Sequence, residues 1–142
     1  MKLIVQRAEL RKIREHGARD YPNECCGVLF GNQEGERKII TEALPLNNAR
    51  EDSKHNRFII SPQDMVESEK YARQKGLDLL GFYHSHPDHP AQPSEYDRVH
   101  AWPWWSYVIV SVQRGQSADL TSWVLAEDRA KFLEETVYEL QP

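Results

Sequence analysis

The stretch GFYHSHPDHPAQPSEYD, residues 81–97, limits the fold of this chain more than any other segment. Its prolines at positions 87, 90 and 93 exclude a regular helix through its middle, because proline has no backbone N–H and clashes with the preceding turn. The apolar residues LDLLGFY that lead into it predict a buried strand ending at Pro87. The chain therefore leaves a strand through a stiff polar elbow that carries three metal-capable imidazoles.

The first two histidines of the elbow are separated by one residue. On a strand, residues two apart point to the same side, so the imidazoles of His84 and His86 can face one point in space. Two neutral imidazoles that converge in this way suit zinc. An H-x-H pair alone is more often two exposed histidines at a strand end, so the zinc interpretation needs further ligands.

A carboxylate follows at helical spacing. Ser94 and Asp97 are three residues apart and meet on the first turn if a helix begins at Ser94. The same S-x-x-D pattern also resembles a capping box with Ser94 as the N-cap. Both interpretations can hold together, because a capped first turn is a rigid mount for a carboxylate ligand. Two histidines and Asp97 would leave the fourth tetrahedral position for water, as in catalytic zinc sites.

A catalytic water also needs a base, and Glu24 is the candidate. It lies where a loop enters the apolar run CCGVLFG, which is a costly place for an unpaired carboxylate. Glutamates at strand starts are usually surface residues, so this assignment depends on the histidine motif. Asp88 and Glu95 are closer to the histidines in sequence, but they lie on the loop or beside Asp97.

Together, the segments ECCGVLFG, RFIISPQD and GFYHSHPDHPAQPSEYD resemble the JAMM (MPN-plus) metalloprotease family. The family pattern is an upstream glutamate, then H-[S/T]-H-P, six residues and S-x-x-D, and this chain fits its spacing without a gap. The matching residues are Glu24, His84, Ser85, His86, Pro87, Ser94 and Asp97. The resemblance covers residues 21–112 and is closest to the compact prokaryotic type.

The resemblance implies a cytidine-deaminase-like α/β fold with a mixed β-sheet flanked by helices. It also implies zinc-dependent hydrolysis of a peptide or isopeptide bond, with His84, His86 and Asp97 as the zinc ligands. Glu24 would be the general base toward the zinc water and would then pass a proton to the leaving amine. Ser94 would donate a hydrogen bond to the oxyanion beside the metal.

Members of the JAMM family often act on the C-terminal tails of ubiquitin-like β-grasp proteins, including sulfur carriers that end in Gly-Gly. The resemblance therefore implies such a protein as substrate and partner, with hydrolysis after a terminal glycine. The tail would add as a strand between the loop 47–57 and the helix 62–75. A non-catalytic MPN-type binding module is the alternative, although no residue of the motif is missing. A zinc deaminase would need H-x-E and P-C-x-x-C, and the sequence contains neither.

The rest of the chain predicts alternating strands and helices. Residues 3–6 form either a strand or the lead-in to a helix that Gly17 ends. The final segment EDRAKFLEETVYEL fits a helical face and a strand face equally well. The other predicted elements are strands at 26–31, 38–45, 58–61, 77–87, 106–112 and 117–126, a helix at 62–75 capped by Ser61 and ended by Gly76, and a short helix at 94–101.

The length and overall composition of the chain are those of one small globular domain, which we place over residues 1–142. A net charge of −4 without a basic block argues against nucleic-acid binding. The start, MKLIVQRAELRKIREHG, has only a short apolar run, which argues against a signal peptide or membrane span and favours a cytoplasmic protein. The adjacent Cys25 and Cys26 are unsuited to a structural disulfide. They could serve a thiol protease or bind metal, but their apolar neighbours favour small buried side chains.

Two further features have more than one interpretation. His89 could contact substrate or a second metal, although a solvated loop histidine is the simpler interpretation. The segment HAWPWWSY carries Trp102, Trp104 and Trp105, and such aromatic residues usually pack in the core or at its rim. An apolar shelf for a substrate, or a homodimer contact, is the alternative.

Overall fold

The computed structural model describes residues 1–46 and 60–141. Within these residues the elements are β1 (Lys2–Gln6), α1 (Arg7–Asp20), β2 (Cys26–Glu34), β3 (Arg37–Leu46), α2 (Pro62–Lys75), β4 (Asp78–Pro87), α3 (Glu95–His100), β5 (Ser106–Gln113), β6 (Gln116–Leu125) and β7 (Phe132–Leu140). The strands pair in the order β1, β3, β2, β4, β5, β6, β7, and β7 pairs with β1 to close a barrel.

The sheet is mixed. Strand β1 runs parallel to β3 and β7, and β4 runs parallel to β5, whereas the remaining pairs are antiparallel. Helix α1 packs against β3 and β5, and α2 packs against β4. The predicted mixed sheet with flanking helices is therefore confirmed. None of the described helices has the length and apolarity that crossing a bilayer requires.

Helix α1 begins directly after β1, so the strand interpretation of residues 3–6 is confirmed. The prediction that Gly17 ends this helix is wrong, since the helix continues to Asp20. A Cβ at position 17 would lie 3.0 Å from Val112 Cγ2 and 3.3 Å from Val110 Cγ1. Glycine at this position therefore allows the close approach of α1 to β5, and it does not mark a helix stop.

The predicted hairpin and the second helix are confirmed. Strands β2 and β3 form the hairpin and extend beyond the predicted bounds. At the start of α2, Ser61 Oγ accepts a hydrogen bond from Asp64 N at 3.0 Å, and at its end Gly76 has φ +67°. The strand predicted before α2 lies outside the described residues except for Ile60 and Ser61, which form no strand. The loop predicted as one wall of the site also lies outside them.

The C-terminal segment, which fitted helix and strand equally well, is strand β7. Its first half, residues 132–135, pairs antiparallel with β6, and its second half, residues 136–140, pairs parallel with β1. This pairing closes the barrel between strands that are far apart in sequence. Local periodicity carries no information about such a contact, which is why the sequence left the choice open.

The barrel wall packs against apolar clusters on both of its faces. Alternation along β2 sends Leu29 to the cluster beneath α1 and Phe30 to the cluster beneath α2. On β4, Tyr83 belongs to the α1 cluster and Phe82 to the α2 cluster. The histidines at positions 84 and 86 continue on the Phe82 side, so the fold places both imidazoles on the α2 face.

Candidate metal centre

Strand β4 brings two imidazole nitrogens close together. The Nε2 atoms of His84 and His86 are 3.1 Å apart, and His84 is 1% exposed. Ser85, between them, points to the opposite face and accepts a hydrogen bond from Cys25 N at 2.8 Å. The predicted convergence of two histidines on one point is therefore present in the structure.

Helix α3 adds the carboxylate through its N-terminal cap. Ser94 Oγ accepts a hydrogen bond from Asp97 N at 3.0 Å, and Asp97 Oδ2 accepts one from Ser94 N at 2.9 Å. The same Oδ2 atom lies 3.3 Å from His84 Nε2 and 3.2 Å from His86 Nε2. The two interpretations of S-x-x-D are thus compatible, because one oxygen closes the capping box and also faces the histidines.

The spacing of these three atoms is that of a tetrahedral metal shell. With metal–ligand bonds of about 2.0–2.1 Å, two ligands of a tetrahedral zinc ion lie about 3.3 Å apart. The observed separations, between 3.1 and 3.3 Å, agree with this value. Two imidazoles and one carboxylate are also a common zinc donor set. The residues present therefore fit a zinc ion.

The hydrogen bonding of His86 orients its ring for a cation. His86 Nδ1 lies 2.9 Å from the carbonyl oxygen of Pro90, which can only accept, so Nδ1 carries the hydrogen. In the neutral ring, Nε2 then offers a lone pair and faces Asp97 Oδ2 at 3.2 Å. Two lone pairs at this separation repel each other unless a proton or a metal ion neutralises them. Such a carbonyl contact is the usual support for a histidine that coordinates through Nε2.

Burial and the charges of the cluster set the protonation of its members. Burial lowers the pKa of His84, which keeps the ring neutral. Burial alone would raise the pKa of Asp97, but the adjacent imidazoles and the Ser94 N–H outweigh it and hold that pKa far below its usual range. Burial is the largest single influence on His86 and would lower its pKa, but the hydrogen bond to Asp97, the charge of that carboxylate and the Pro90 carbonyl together outweigh it and raise the pKa. An ionised carboxylate and a neutral imidazole are the states that coordinate metals.

Glu24 lies at the edge of the same cluster. Its side chain is buried, and a carboxylate oxygen and one ring nitrogen each of His84 and His86 all lie within 4.8 Å of one another. Next to it, Cys25 N donates to Ser85 Oγ and Ser85 N donates to Cys25 O at 3.2 Å. The two distant parts of the motif therefore meet because β2 and β4 are adjacent strands.

The elbow after β4 is held by side chains outside the motif. Asp88 has φ +58°, and its carboxylate accepts hydrogen bonds from Tyr21 OH at 2.6 Å and Arg114 N at 2.8 Å. Further along, the carbonyl of Ala91 accepts a hydrogen bond from Thr121 Oγ1 at 2.6 Å. Asp88 is thus exposed and anchors the loop, which leaves Glu24 as the stronger candidate for the base.

The adjacent cysteines are packing residues of the barrel wall. Cys25 is 1% exposed and Cys26 is fully buried, and burial raises the pKa of each thiol to about 12. A thiol with this pKa is protonated at neutral pH and is a weak nucleophile. The interpretation of both cysteines as small buried residues is therefore supported over a thiol protease.

Two cavities flank the cluster. One, of about 210 Å³, is lined mostly by apolar and aromatic side chains, and we call it the apolar cavity. The other, of about 370 Å³, is lined by polar groups that include Glu24, Ser94 and the exposed His89, and we call it the polar cavity. Tyr96 and Asp97 line both. The cluster therefore lies between two openings of different chemistry.

The three tryptophans have two different roles. Trp105 packs edge-on against Phe82 with ring centroids 4.9 Å apart, as the packing interpretation predicts. Trp102 and Trp104 stack on each other at 5.8 Å but are 50% and 66% exposed. These two rings therefore form an exposed shelf, and Trp102 also lines the apolar cavity.

The same glutamate, histidine and aspartate pattern lies within a region that matches a known family model. Residues 6–126 match the model described as prokaryotic homologs of the JAB domain, Prok-JAB. The chain belongs to the Prok-JAB family. The resemblance to JAMM proteins that the motif indicated is therefore confirmed at the level of the family.

Three relatives of this Prok-JAB protein have named activities. It is 36% identical over 103 residues to a desampylase of Haloferax volcanii, covering 72% of each chain. It is 37% identical over 95 residues to a probable TtuB-protein conjugate cleaving protease of Thermus thermophilus, covering 67% of this chain and 60% of that one. It is 29% identical over 129 residues to a CysO-cysteine peptidase of Mycobacterium tuberculosis, covering 88% of this chain and 84% of the relative.

Solved structures show the same fold. A solution structure of a Desulfitobacterium hafniense protein superposes with a TM-score of 0.86 at 28% identity, covering 99% of this chain and 94% of the other. A JAB1/MPN domain protein from Archaeoglobus fulgidus superposes with a TM-score of 0.59 at 21% identity, covering 98% of this chain and all of the other. At that identity the second match concerns the fold alone. The expected fold of the JAB/MPN type is confirmed.

A clamp on helix α3 of the Prok-JAB protein was not predicted from the sequence. Arg129, in the turn between β6 and β7, donates a hydrogen bond to Ala101 O at 2.7 Å and lies 5.1 Å from the centroid of the Trp102 ring. In return, Arg98 of α3 donates to Arg129 O at 2.7 Å. Arg129 thus satisfies a carbonyl at the C-terminal end of the helix that carries Asp97. No spacing in the sequence indicates this contact between Arg129 and the end of α3.

Replacing Arg129 by alanine is expected to lower the free energy of unfolding by about 1–2 kcal/mol, because a charged hydrogen bond and a cation–π contact are lost at a half-buried site. Urea denaturation of the metal-free protein measures the change. Lys131→Ala, an exposed change in the same turn, is the control and should alter stability by less than about 0.5 kcal/mol. Equal effects of the two substitutions would contradict the clamp.

Proposed function

We propose that this protein is a zinc-dependent metallopeptidase that hydrolyses a peptide or isopeptide bond at the C-terminal Gly-Gly tail of a ubiquitin-like or sulfur-carrier protein. The observation that carries the proposal is the convergence of His84, His86 and Asp97 at the spacing of a tetrahedral shell, with Glu24 beside them. The named conjugate-cleaving protease and CysO-cysteine peptidase among its relatives support the substrate class.

In this proposal His84, His86 and Asp97 hold the metal through two Nε2 atoms and Oδ2. When bound, zinc would supply a Lewis acid and lower the pKa of water at the site. The positive charge of the metal would be balanced by the ionised carboxylate of Asp97, which is largely buried. The Pro90 carbonyl fixes the ring of His86, so little reorganisation is needed for binding.

Glu24 transfers the proton between the water and the leaving amine, and Ser94 polarises the substrate carbonyl. Glu24 accepts a proton from the attacking water and returns it to the leaving amine, so that the amine departs neutral. Ser94 Oγ already accepts a hydrogen bond from Asp97 N, which leaves its own hydroxyl hydrogen to donate to the substrate carbonyl oxygen. Both residues line the polar cavity, which is where the proposal places the leaving amine and the attacked carbonyl.

The setting of this activity is part of the same proposal. We place the activity in the cytoplasm and in a single domain over residues 1–142. The substrate is neither nucleic acid nor membrane. These parts of the proposal rest on the charge and composition of the chain. The exposed shelf of Trp102 and Trp104 leaves a homodimer contact as one candidate role for that surface.

The test uses fusions in which a β-grasp sulfur carrier ending in Gly-Gly is joined to a reporter protein, through a linear bond in one set and a lysine isopeptide in the other. The zinc-loaded protein is expected to release the reporter after the second glycine, as mass spectrometry would show. A chelator should stop the reaction, and added zinc should restore it. Intact fusions in the presence of bound zinc would refute the substrate, and tight binding without cleavage would favour the binding-module alternative.

A further inference from the structure

The apolar cavity is a second recognition element beside the metal cluster. His84 and Asp97 are part of its lining, and among the described residues the rest of the lining is almost entirely apolar or aromatic. Met65 contributes from α2, Trp105 and Tyr107 contribute from the segment around β5, and these belong to or pack on the α2-side cluster. An apolar surface of this kind, open beside a polar cluster, has no role in the proton transfers assigned to Glu24 and Ser94.

The two cavities receive different sides of the scissile bond. A group that protonates a leaving amine must lie within hydrogen-bond reach of it, and Glu24 lines the polar cavity and not the apolar one. The amine side of the substrate therefore enters the polar cavity. The attacked carbonyl itself lies at the cluster between the two cavities, because Ser94, its hydrogen-bond donor, also lines the polar cavity. The acyl side that precedes this carbonyl then extends past His84 and Asp97 into the apolar cavity.

The walls of the apolar cavity are held in place by their own contacts. Trp105 stands edge-on to Phe82, and Tyr107 OH accepts a hydrogen bond from Trp102 N at 2.9 Å. The Arg129 guanidinium lies over the Trp102 ring, 5.1 Å from its centroid. A cavity with fixed walls binds a side chain without the entropic cost of ordering its own residues.

The volume limits what the apolar cavity can hold. At about 210 Å³ it is smaller than the roughly 300–1,000 Å³ of typical small-molecule sites, and it suits an amino-acid side chain. Glycine has no side chain, so the Gly-Gly end of a tail cannot fill it. The occupant must come from the residues that precede the two glycines.

We propose that the apolar cavity is a specificity pocket that takes one bulky apolar side chain, such as leucine, methionine or phenylalanine, from the acyl-side tail just before its terminal glycines. The inference rests on the proposed peptidase function and adds a sequence requirement to it. Tails that end in a polar residue followed by Gly-Gly are poor substrates because they leave the apolar walls in contact with water.

Two fusion substrates that differ only in the residue before Gly-Gly, leucine in one and serine in the other, test the pocket. The leucine substrate is expected to have a kcat/KM roughly ten- to hundredfold higher, as burial of one large apolar side chain predicts. Product peptides with the same two endings provide a readout without catalysis. Titration followed by tryptophan fluorescence should show at least about tenfold tighter binding of the leucine peptide.

A matched pair of variants assigns the preference to the cavity. Met65→Lys puts a charge into the lining and is expected to abolish the preference for leucine in both assays. Val66→Lys makes the same change one residue along α2, at a side chain that is 61% exposed and outside the lining, and should leave the preference intact. Met65 is half-buried and packs on the α2-side cluster whereas Val66 is exposed, so their thermal midpoints are compared and the assays are run well below the lower one.

The outcomes separate the two proposals. Equal cleavage of the leucine and serine substrates would overturn the pocket and leave the peptidase function standing. Failure to cleave either substrate with zinc bound would overturn the peptidase function. In that case equal affinities for the two peptides would overturn the pocket as well. If instead the leucine peptide binds more tightly and Met65→Lys abolishes that difference, the cavity is supported as a binding site.

Discussion

Glu24→Gln is expected to reduce kcat on a Gly-Gly fusion by at least about a hundredfold while the protein still binds zinc, since general acid–base catalysis contributes about 10²–10⁴. Glutamine keeps the size and hydrogen-bonding oxygen of the side chain but cannot take the proton from water. Glu24 is buried near the histidines, and Cys25 and β2, which follow it, are fixed to β4 by backbone pairing, so the substitution should leave the cluster intact. Turnover assays and metal analysis of the same preparation separate the two effects.

Glu95→Gln is the control for this experiment. Glu95 is exposed, lies next to Ser94 in sequence and forms an ion pair with Arg98. It is one of the carboxylates near the histidine motif that could be considered as a base instead of Glu24. Its substitution should change kcat by less than about twofold, because an exposed ion pair contributes little. If Glu95→Gln inactivated the protein and Glu24→Gln did not, the assignment of the base would be reversed.

Asp97→Asn is expected to weaken zinc binding by more than about a hundredfold, because changes even to outer-shell partners cost about 10–100-fold. The substitution separates the two roles of this residue. Asparagine still offers an oxygen to Ser94 N and can keep the capping box, but it removes the negative charge that faces the two imidazoles. The metal-free variant should unfold somewhat below the wild-type temperature, because the contacts that hold the pKa of Asp97 low are weakened, and the stabilisation by added zinc should be lost.

Thermal unfolding with and without zinc measures this loss, because a ligand that binds only the folded state raises its stability with concentration. Asp88→Asn provides the matched control on the same elbow. Its carboxylate accepts hydrogen bonds from Tyr21 and Arg114 and anchors the loop, so the variant should retain the zinc-dependent stabilisation. A variant of Asp97 that binds zinc as tightly as the wild type would remove it from the ligand set.

Much of the candidate site could be predicted from short-range spacing. The two-residue separation of His84 and His86 requires only a strand, and the three-residue separation of Ser94 and Asp97 requires only one helical turn. The position of Glu24 could not be derived in the same way, because it depends on which strands are neighbours. That part came from the resemblance to a family pattern, and the pairing of β2 with β4 gives its physical basis.

The parts that could not be predicted depend on contacts between distant segments. Gly17 looked like a helix stop because the close approach of Val110 and Val112 is invisible in local sequence. Strand β7 could not be distinguished from a helix until its pairing with β1 was known. Arg129 contacts α3 from about 30 positions away in the chain. It binds backbone carbonyls, which every residue has, so the residue types at the contact give no signal in the sequence.

Helix α3 has only six residues, far fewer than an isolated helix needs to persist in water. Its order therefore depends on the hydrogen bonds at its two ends. At the N-terminal end the acceptor of the capping hydrogen bond, Asp97 Oδ2, is also the atom that faces the histidines. Occupancy by a cation and folding of this turn are then thermodynamically linked, each favouring the other by the same free energy. If the proposed cation is removed, the segment that carries Tyr96, which lines both cavities, would be less ordered, so recognition and chemistry would be lost together.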